Sequence, residues 1–439
     1  MKKRTTNITL VLASIVLFLM GCTEDSPTKQ DDVPIVQDTI PATMTQEHVP
    51  WPSLADSPWP MYSHDPQGTR RTTYEGPVAG TVSWRTELGG VGDNYGNSSI
   101  AIGADSSIYF ISNNDTLVGS GQHRWVLYAL HPNGEQKWVF SDNNHPHDIA
   151  SGGPIITANN EIVFFGKSSL YANIYALDSD GVLSWKYTHS GGNWIPDNLN
   201  IGMDGTIYFI DSSGNLVALQ EDGNLSWIKE SNQSFRANEH WTLAIAPDGN
   251  TLYVPGAKNY AELYALDLNG QVLWEFNLGG DEHTMGQPMV DNQSNIYVAV
   301  GGWVDGVASE ANGLHALNPD GSLRWRYNVD TGSDKYSLGP NGHLYICAGD
   351  ELLALGYDGV EIYRSSLLTY QYSVIAMDGA GVLYIPGREF QAIESSTGTA
   401  LWNIELPSGG WAGGAIGYNN HFIYAYANSS SDKYVLGIE

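Results

Sequence analysis

One hairpin is written into this chain seven times, and that repetition limits the fold more than any other feature. Tyr128-Ala129-Leu130 is followed by Gly134 and Trp138. The spacing returns at Tyr175-Ala176-Leu177 with Gly181 and Trp185, at Val217-Ala218-Leu219 with Gly223 and Trp227, and at Tyr264-Ala265-Leu266 with Gly270 and Trp274. His315-Ala316-Leu317 with Gly321 and Trp325, Leu353-Ala354-Leu355 with Gly359 and Tyr363, and Gln391-Ala392-Ile393 with Gly398 and Trp402 complete the set. Each copy reads as a strand, a tight turn and a return strand. Asp-Gly and Asn-Gly pairs such as Asp180-Gly181 and Asn269-Gly270 supply the positive φ such turns need. The small Ala suits close sheet packing, and the Trp is expected to fill the space between neighbouring sheets.

A second strand precedes each hairpin, from Ile108-Tyr109-Phe110 to Phe422-Ile423-Tyr424, eight copies in all. Four short strands in roughly 45 residues is the unit of a propeller blade. The ends complete each other. Gly80-Thr81-Val82-Ser83-Trp84 is a turn and return strand with no first half, and Tyr434-Val435-Leu436 is a first half with no return. The expectation is therefore an all-β, single eight-bladed propeller of four-stranded antiparallel blades over residues 57–439, closed by pairing of its terminal strands. Length alone suggests two or three domains at about 150 residues each; the repeat gathers them into one ring.

The Tyr-Ala-Leu-Asp-x-x-Gly-x-x-x-Trp pattern resembles the PQQ-like repeat of the quinoprotein alcohol dehydrogenase-like superfamily, from about Gly80 to the end. The lead segment Trp59-Pro60-Met61-Tyr62-Ser63-His64-Asp65-Pro66 resembles the start of secreted PQQ-like repeat proteins. It reads as a cap on the propeller rather than as a catalytic His64–Asp65 pair. The resemblance implies PQQ, a calcium ion on carboxylate and amide ligands, and adjacent cysteines in a ring disulfide. This chain has two cysteines, Cys22 and Cys347, far apart. No cofactor is therefore expected; PQQ and calcium rest on the resemblance alone. Nor is there a Cys-x-x-Cys-His haem site. In architecture the chain is also similar to the propeller lipoprotein of the outer-membrane β-barrel assembly machinery.

The N-terminus is an address. Lys2, Lys3 and Arg4 precede an apolar run from Ile8 to Met20, as in a secretory signal. Leu19-Met20-Gly21-Cys22 resembles the bacterial lipobox. Residues 1–21 are expected to be a signal peptide, Cys22 the lipidated residue, and 22–56 a flexible Pro/Thr-rich acidic tether. Thr23 in place of Asp after Cys22 resembles outer-membrane sorting, on the periplasmic or the cell-surface side. Without a second thiol, Cys347 reads as a buried strand cysteine.

Forty-eight acidic against 20 basic residues, a formal charge of −28, leave no basic surface for nucleic acid. The varied connections, 141–153, 188–198, 229–241, 279–287, 299–313 and 406–414, are expected on one face, opposite the regular turns. They carry Trp194, Asp197, Arg236, His240, Trp241, Gln287, Trp303 and Trp411. Asn97, Lys335, Tyr336 and Tyr372 stand before innermost strands, where they would ring the channel. His145-Pro146-His147-Asp148 defines no third metal ligand by spacing, and Asp178-Ser179-Asp180-Gly181 lacks the closing Glu of a calcium loop. No catalytic set is recognisable. The expectation is a monomeric, lipid-anchored envelope module that binds or scaffolds an envelope protein or glycan through its loop-rich face. The alternative is an extracytoplasmic enzyme or sensor for a carbohydrate or quinone at the channel mouth.

Overall fold

The computed structural model describes residues 40–88, 99–113, 125–142, 152–167, 172–190, 198–230, 235, 242–256, 261–279, 283–304, 307–308, 312–329, 335–368, 375–386, 389–406, 410–428 and 433–439. Every regular element among them is a strand, and the strands form eight antiparallel sheets. Blade 1 runs outward through Ala101–Ile102, Ile108–Asn113, Trp125–Leu130 and Gln136–Phe140. Blades 2 to 7 repeat this order, their two- or three-residue inner strands beginning at Ile155, Asn200, Ala244, Met289, Tyr336 and Ala376. In blade 8, Gly410–Ile416, Phe422–Asn428 and Lys433–Ile438 are joined by Val82–Glu87 as outer strand. The ring closes through both chain ends, as the split motif predicts. Blade 5 departs from the four-strand pattern. Its second strand, Ile296–Val304, is nine residues long and also pairs with His283–Met285 and Val307–Ala308.

The register explains the alanine. In blade 1, Ala129 stands opposite Tyr109 on one side and Trp138 on the other. The two rings meet over its methyl group, centroids 5.9 Å apart. Tyr253 and Trp274 meet at 6.0 Å over Ala265, and Tyr297 and Trp325 at 5.9 Å over Ala316. A larger residue there would force the aromatic pair apart, and such pairs contribute about 0.5–1.5 kcal/mol beyond burial. A register shift follows the Ala in each of these blades, one extra residue on the outer strand before the turn.

Each outer-strand aromatic then packs on the turn glycine of the next blade. An added Cβ would strike Trp138 at Gly181, Trp185 at Gly223, Trp274 at Gly321, Trp325 at Gly359 and Tyr363 at Gly398. Trp402 against Gly80 and Trp84 against Gly134 carry the same contact across the closure. Several rings also hydrogen-bond there: Trp138 Nε1 donates to Ser179 O at 3.0 Å and Trp274 Nε1 to Pro319 O at 2.9 Å. Gly and Trp are thus two halves of one inter-blade contact.

The compact unit begins at Ile40, so packed structure starts before the boundary at 56 expected for the tether. Trp51 and Leu54 are buried in the core, and Gln46 and Met44 donate backbone N–H groups to Pro340 and Asn341.

Candidate functional site

The innermost strand of a blade has a free edge facing the channel, and its N–H groups need acceptors. The lead segment supplies them. Ile102 N donates to Trp59 O (2.8 Å), Ile156 N to Pro60 O (2.8 Å), Ile245 N to Pro66 O (2.9 Å) and Val290 N to Gln67 O (2.9 Å). Leu338 N reaches Thr69 O (3.2 Å) and Met377 N reaches Arg70 O (2.9 Å). In blade 3 Asn200 Nδ2 donates to Pro66 O (3.1 Å), and after the inner strand of blade 8 Tyr418 donates to Asp56 O (3.1 Å). One segment therefore touches all eight blades and plugs the channel on the side of the regular turns, as the capping reading predicts. Its path needs left-handed backbone at three non-glycine residues, Ser63 (φ 59°), His64 (φ 75°) and Arg70 (φ 57°). Such conformations persist only where surroundings enforce them.

His64 and Asp65 fix this path. His64 Nδ1 lies 3.1 Å from Asp65 Oδ2, and Asp65 also accepts from Thr69 N (2.9 Å) and the Thr69 hydroxyl. Burial pushes the Asp65 carboxyl up, but the hydrogen bonds from His64 and Thr69 outweigh it and hold it below its ordinary value. His64 packs edge-on against Trp59 at 5.2 Å. Above them lies a groove of about 530 Å³ lined by His48, Trp51, Asp56, Thr73 and Tyr74 among others. Burial lowers the pKa of His48, helped by the charge of His64.

On the channel side of the plug, Arg70 is fully buried. Its Nη1 donates to Tyr336 O at 2.7 Å, and its Cζ lies 5.2 Å from the Tyr336 ring centroid. The Tyr336 hydroxyl donates to Gln287 O, and Ser63 Oγ donates to Gln287 Oε1 at 2.8 Å. Of the residues read as channel-lining, Gln287, Lys335 and Tyr336 are described; Gln287 and Tyr336 join this cluster, while Lys335 O accepts from Cys347 N. Trp303 and Trp411, expected in connections, lie instead on the strands Ile296–Val304 and Gly410–Ile416. Cys22, Asn97, Trp194, Asp197, Arg236, His240, Trp241 and Tyr372 lie outside the described residues. Sequence reasoning missed Arg70. The available signal was an Arg70-Arg71 pair inside the lead segment of a chain with 20 basic residues in 439.

Residues 77–312 match the family model described as outer membrane protein assembly factor BamB. The chain belongs to this family. No curated protein matches its sequence. Among solved structures, this BamB-family propeller is similar to BamB from Moraxella catarrhalis, with 15% identity and TM-score 0.58 over 82% of this chain and 100% of that one. It is also similar to a europium-containing methanol dehydrogenase, with 12% identity and TM-score 0.58 over 86% and 90% of the two chains. The quinohemoprotein alcohol dehydrogenase from Comamonas testosteroni aligns with 10% identity and TM-score 0.60 over 87% and 80%. These likenesses carry the fold.

A quinone with a metal ion is what the resemblance to quinoprotein dehydrogenases implies; the likeness to the two dehydrogenase structures carries the fold alone. A divalent cation needs converging oxygen donors. No group of three metal-ligating side chains occurs among the described residues. The sequence also lacks the adjacent cysteines that the resemblance implies.

Proposed function

We propose that this BamB-family propeller is a lipid-anchored cell-envelope module that binds or scaffolds a protein partner in outer-membrane assembly through its loop-rich face. The observation that carries this reading is the family match over residues 77–312, joined to a channel plugged from the regular-turn side. The plug leaves the other face as the one whose connections vary. The basic, apolar and Gly-Cys order of residues 2–22 supports export and anchoring through Cys22. Lacking adjacent cysteines, the sequence favours this role over quinone-dependent oxidation.

The test is purification of the full chain in detergent from its native envelope. Co-purification of one outer-membrane protein near unit stoichiometry, lost when the connections on the loop-rich face are shortened, is the expected result. Saturable thermal stabilisation by PQQ with calcium, accompanied by dye-linked dehydrogenase activity, would overturn it.

A further inference from the structure

Because the blades repeat, one groove between them can be compared with another. Residues 40–46 lie on the regular-turn face where blades 5 and 6 meet. Alternate residues hold them to the blade 6 turns: Tyr357 N donates to Ala42 O (2.8 Å), Met44 N to Asn341 O (2.9 Å) and Gln46 N to Pro340 O (2.8 Å). On the blade 5 side, Asn292 N donates to Gln46 Oε1 at 2.8 Å and Gln46 Nε2 to Gln293 Oε1 at 3.0 Å. Ile40 and Met44 pack, with Trp325, against the core of these two blades. A stretch of the chain itself thus fills this groove.

Three blades round the ring, the matching groove between blades 2 and 3 is open. The turns correspond bond for bond. Gly202 N donates to Thr206 O and Gly205 N to Gly202 O, as Gly339 N does to His343 O and Gly342 N to Gly339 O. Gln220–Asn224 matches Gly356–Val360 in the same way, and Thr157–Glu161 of blade 2 matches Asp291–Asn295 of blade 5. Asp204 therefore stands where Asn341 does, Glu221 where Tyr357 does, Asn159 where Gln293 does and Trp185 where Trp325 does. The open groove has a volume of about 940 Å³ and is lined by Trp185 with Glu161, Asp178, Asp204, Glu221 and Asp222. Asn159 Nδ2 donates to Glu221 Oε1 at 2.8 Å, linking one blade to the other. Asp178, Asp204 and Asp222 accept from backbone N–H groups of their own turns. Among the described residues no ion pair engages any of the five carboxylates; Lys137 and Lys186, on the outer strands of blades 1 and 2, pair with Asp105 and Asp142 instead.

We propose that the groove between blades 2 and 3 is a docking site for an extended Lys- and Arg-rich segment of a partner protein. The filled groove between blades 5 and 6 is the precedent for a peptide in this position, and the carboxylates without counter-charges select a basic one. The Trp185 ring offers its face to the stems and cationic heads of such side chains. This surface lies on the plugged face, opposite the connections assigned to the scaffold role, and does not rest on that role.

The full chain is titrated by fluorescence anisotropy with the labelled peptide acetyl-KTKVKTK-amide, with acetyl-ETEVETE-amide, and with spermine as an unlabelled competitor of the same charge. Saturable one-to-one binding of the basic peptide, weakened by salt, is expected, with no binding of the acidic one. Glu161→Gln, Asp204→Asn and Glu221→Gln combined should weaken binding about tenfold, as three exposed charge pairs are lost. Asp248→Asn, Asp267→Asn and Asp320→Asn combined remove the same charge from turns of blades 4 and 5 and should leave binding unchanged. Carbodiimide cross-linking of the peptide to the wild type should map to the groove carboxylates, which tests the site even if the first triple variant does not fold. No saturable binding, equal weakening by both triple variants, cross-links confined to other carboxylates, or displacement by spermine at equal concentration overturns the proposal.

Discussion

The pairing of turn glycine with the preceding blade's tryptophan can be separated from glycine's backbone role. Gly223 (φ +82°) and Gly270 (φ +74°) occupy equivalent left-handed turns in blades 3 and 4. An alanine at either pays for left-handed backbone, about 1–2 kcal/mol, partly offset by about 0.4–1 kcal/mol from a less flexible unfolded chain. The surroundings differ. At Gly223 the new Cβ would lie 2.4 Å from Trp185 Cε3; at Gly270 its nearest neighbour is Trp227 Cζ3 at 3.2 Å. The first cannot stand without moving a ring wedged between blades, and overpacking of that kind costs about 1–3 kcal/mol. Gly270→Ala should therefore destabilise by about 1 kcal/mol, and Gly223→Ala by about 2–4 kcal/mol. Urea unfolding followed by Trp fluorescence and circular dichroism measures both. Repeating Gly223→Ala on a Trp185→Ala background should return its cost to the Gly270 level. Equal costs for the two alanines, or no relief in the double variant, would refute the contact as the reason for the repeat's Gly–Trp spacing.

Trp59→Ala, at a position 3% exposed, should cost about 3–5 kcal/mol and open the plug to limited proteolysis while the blades stay resistant. His315, buried opposite Arg326, has its pKa lowered to about 4, chiefly by burial and then by that charge. The folded state thus resists protonation that the unfolded chain accepts. Stability is unaffected above about pH 6.5 and falls by on the order of 3 kcal/mol as pH drops from there toward 4. His315→Leu should flatten that part of a stability–pH curve. Cys347 is fully buried and its thiol is pushed up to about 12 by burial; it should resist a thiol-specific dye in the native protein and react at once in denaturant.

The ring was legible because its contacts are local and spaced. Turn Gly, small Ala and outer Trp sit at fixed intervals, each repeat spelling one sheet and its contact with the next. The start of the packed chain was harder to read, for a physical reason. Pro50, Pro52, Pro58 and Pro60 give residues 40–66 the composition of a tether. Yet proline lacks an N–H and keeps its carbonyl, which suits a segment that chiefly accepts hydrogen bonds from strand edges. Pro60 and Pro66 do this with Ile156 and Ile245. Arg70 escaped notice because its hydrogen-bond partner, Tyr336, lies 266 positions away. No local pattern encodes that meeting.

The closure of blade 8 also sets the order of events when the protein is made. Thr81 and Glu439, which exchange backbone hydrogen bonds, are 358 positions apart, so the first strand synthesised waits for the last. A polypeptide emerging N-terminus first must keep Val82–Glu87 unpaired, and its plug without a closed channel to fill, until Lys433–Ile438 has emerged. The ring should then lock in a single late step, since long-range pairing forms slowly and is rewarded only once both strands are present. Nascent chains stalled after Asn428 should remain open to protease along the plug, with protection arriving only when residues 429–439 are released. Protection before that point would mean the ring holds without its clasp.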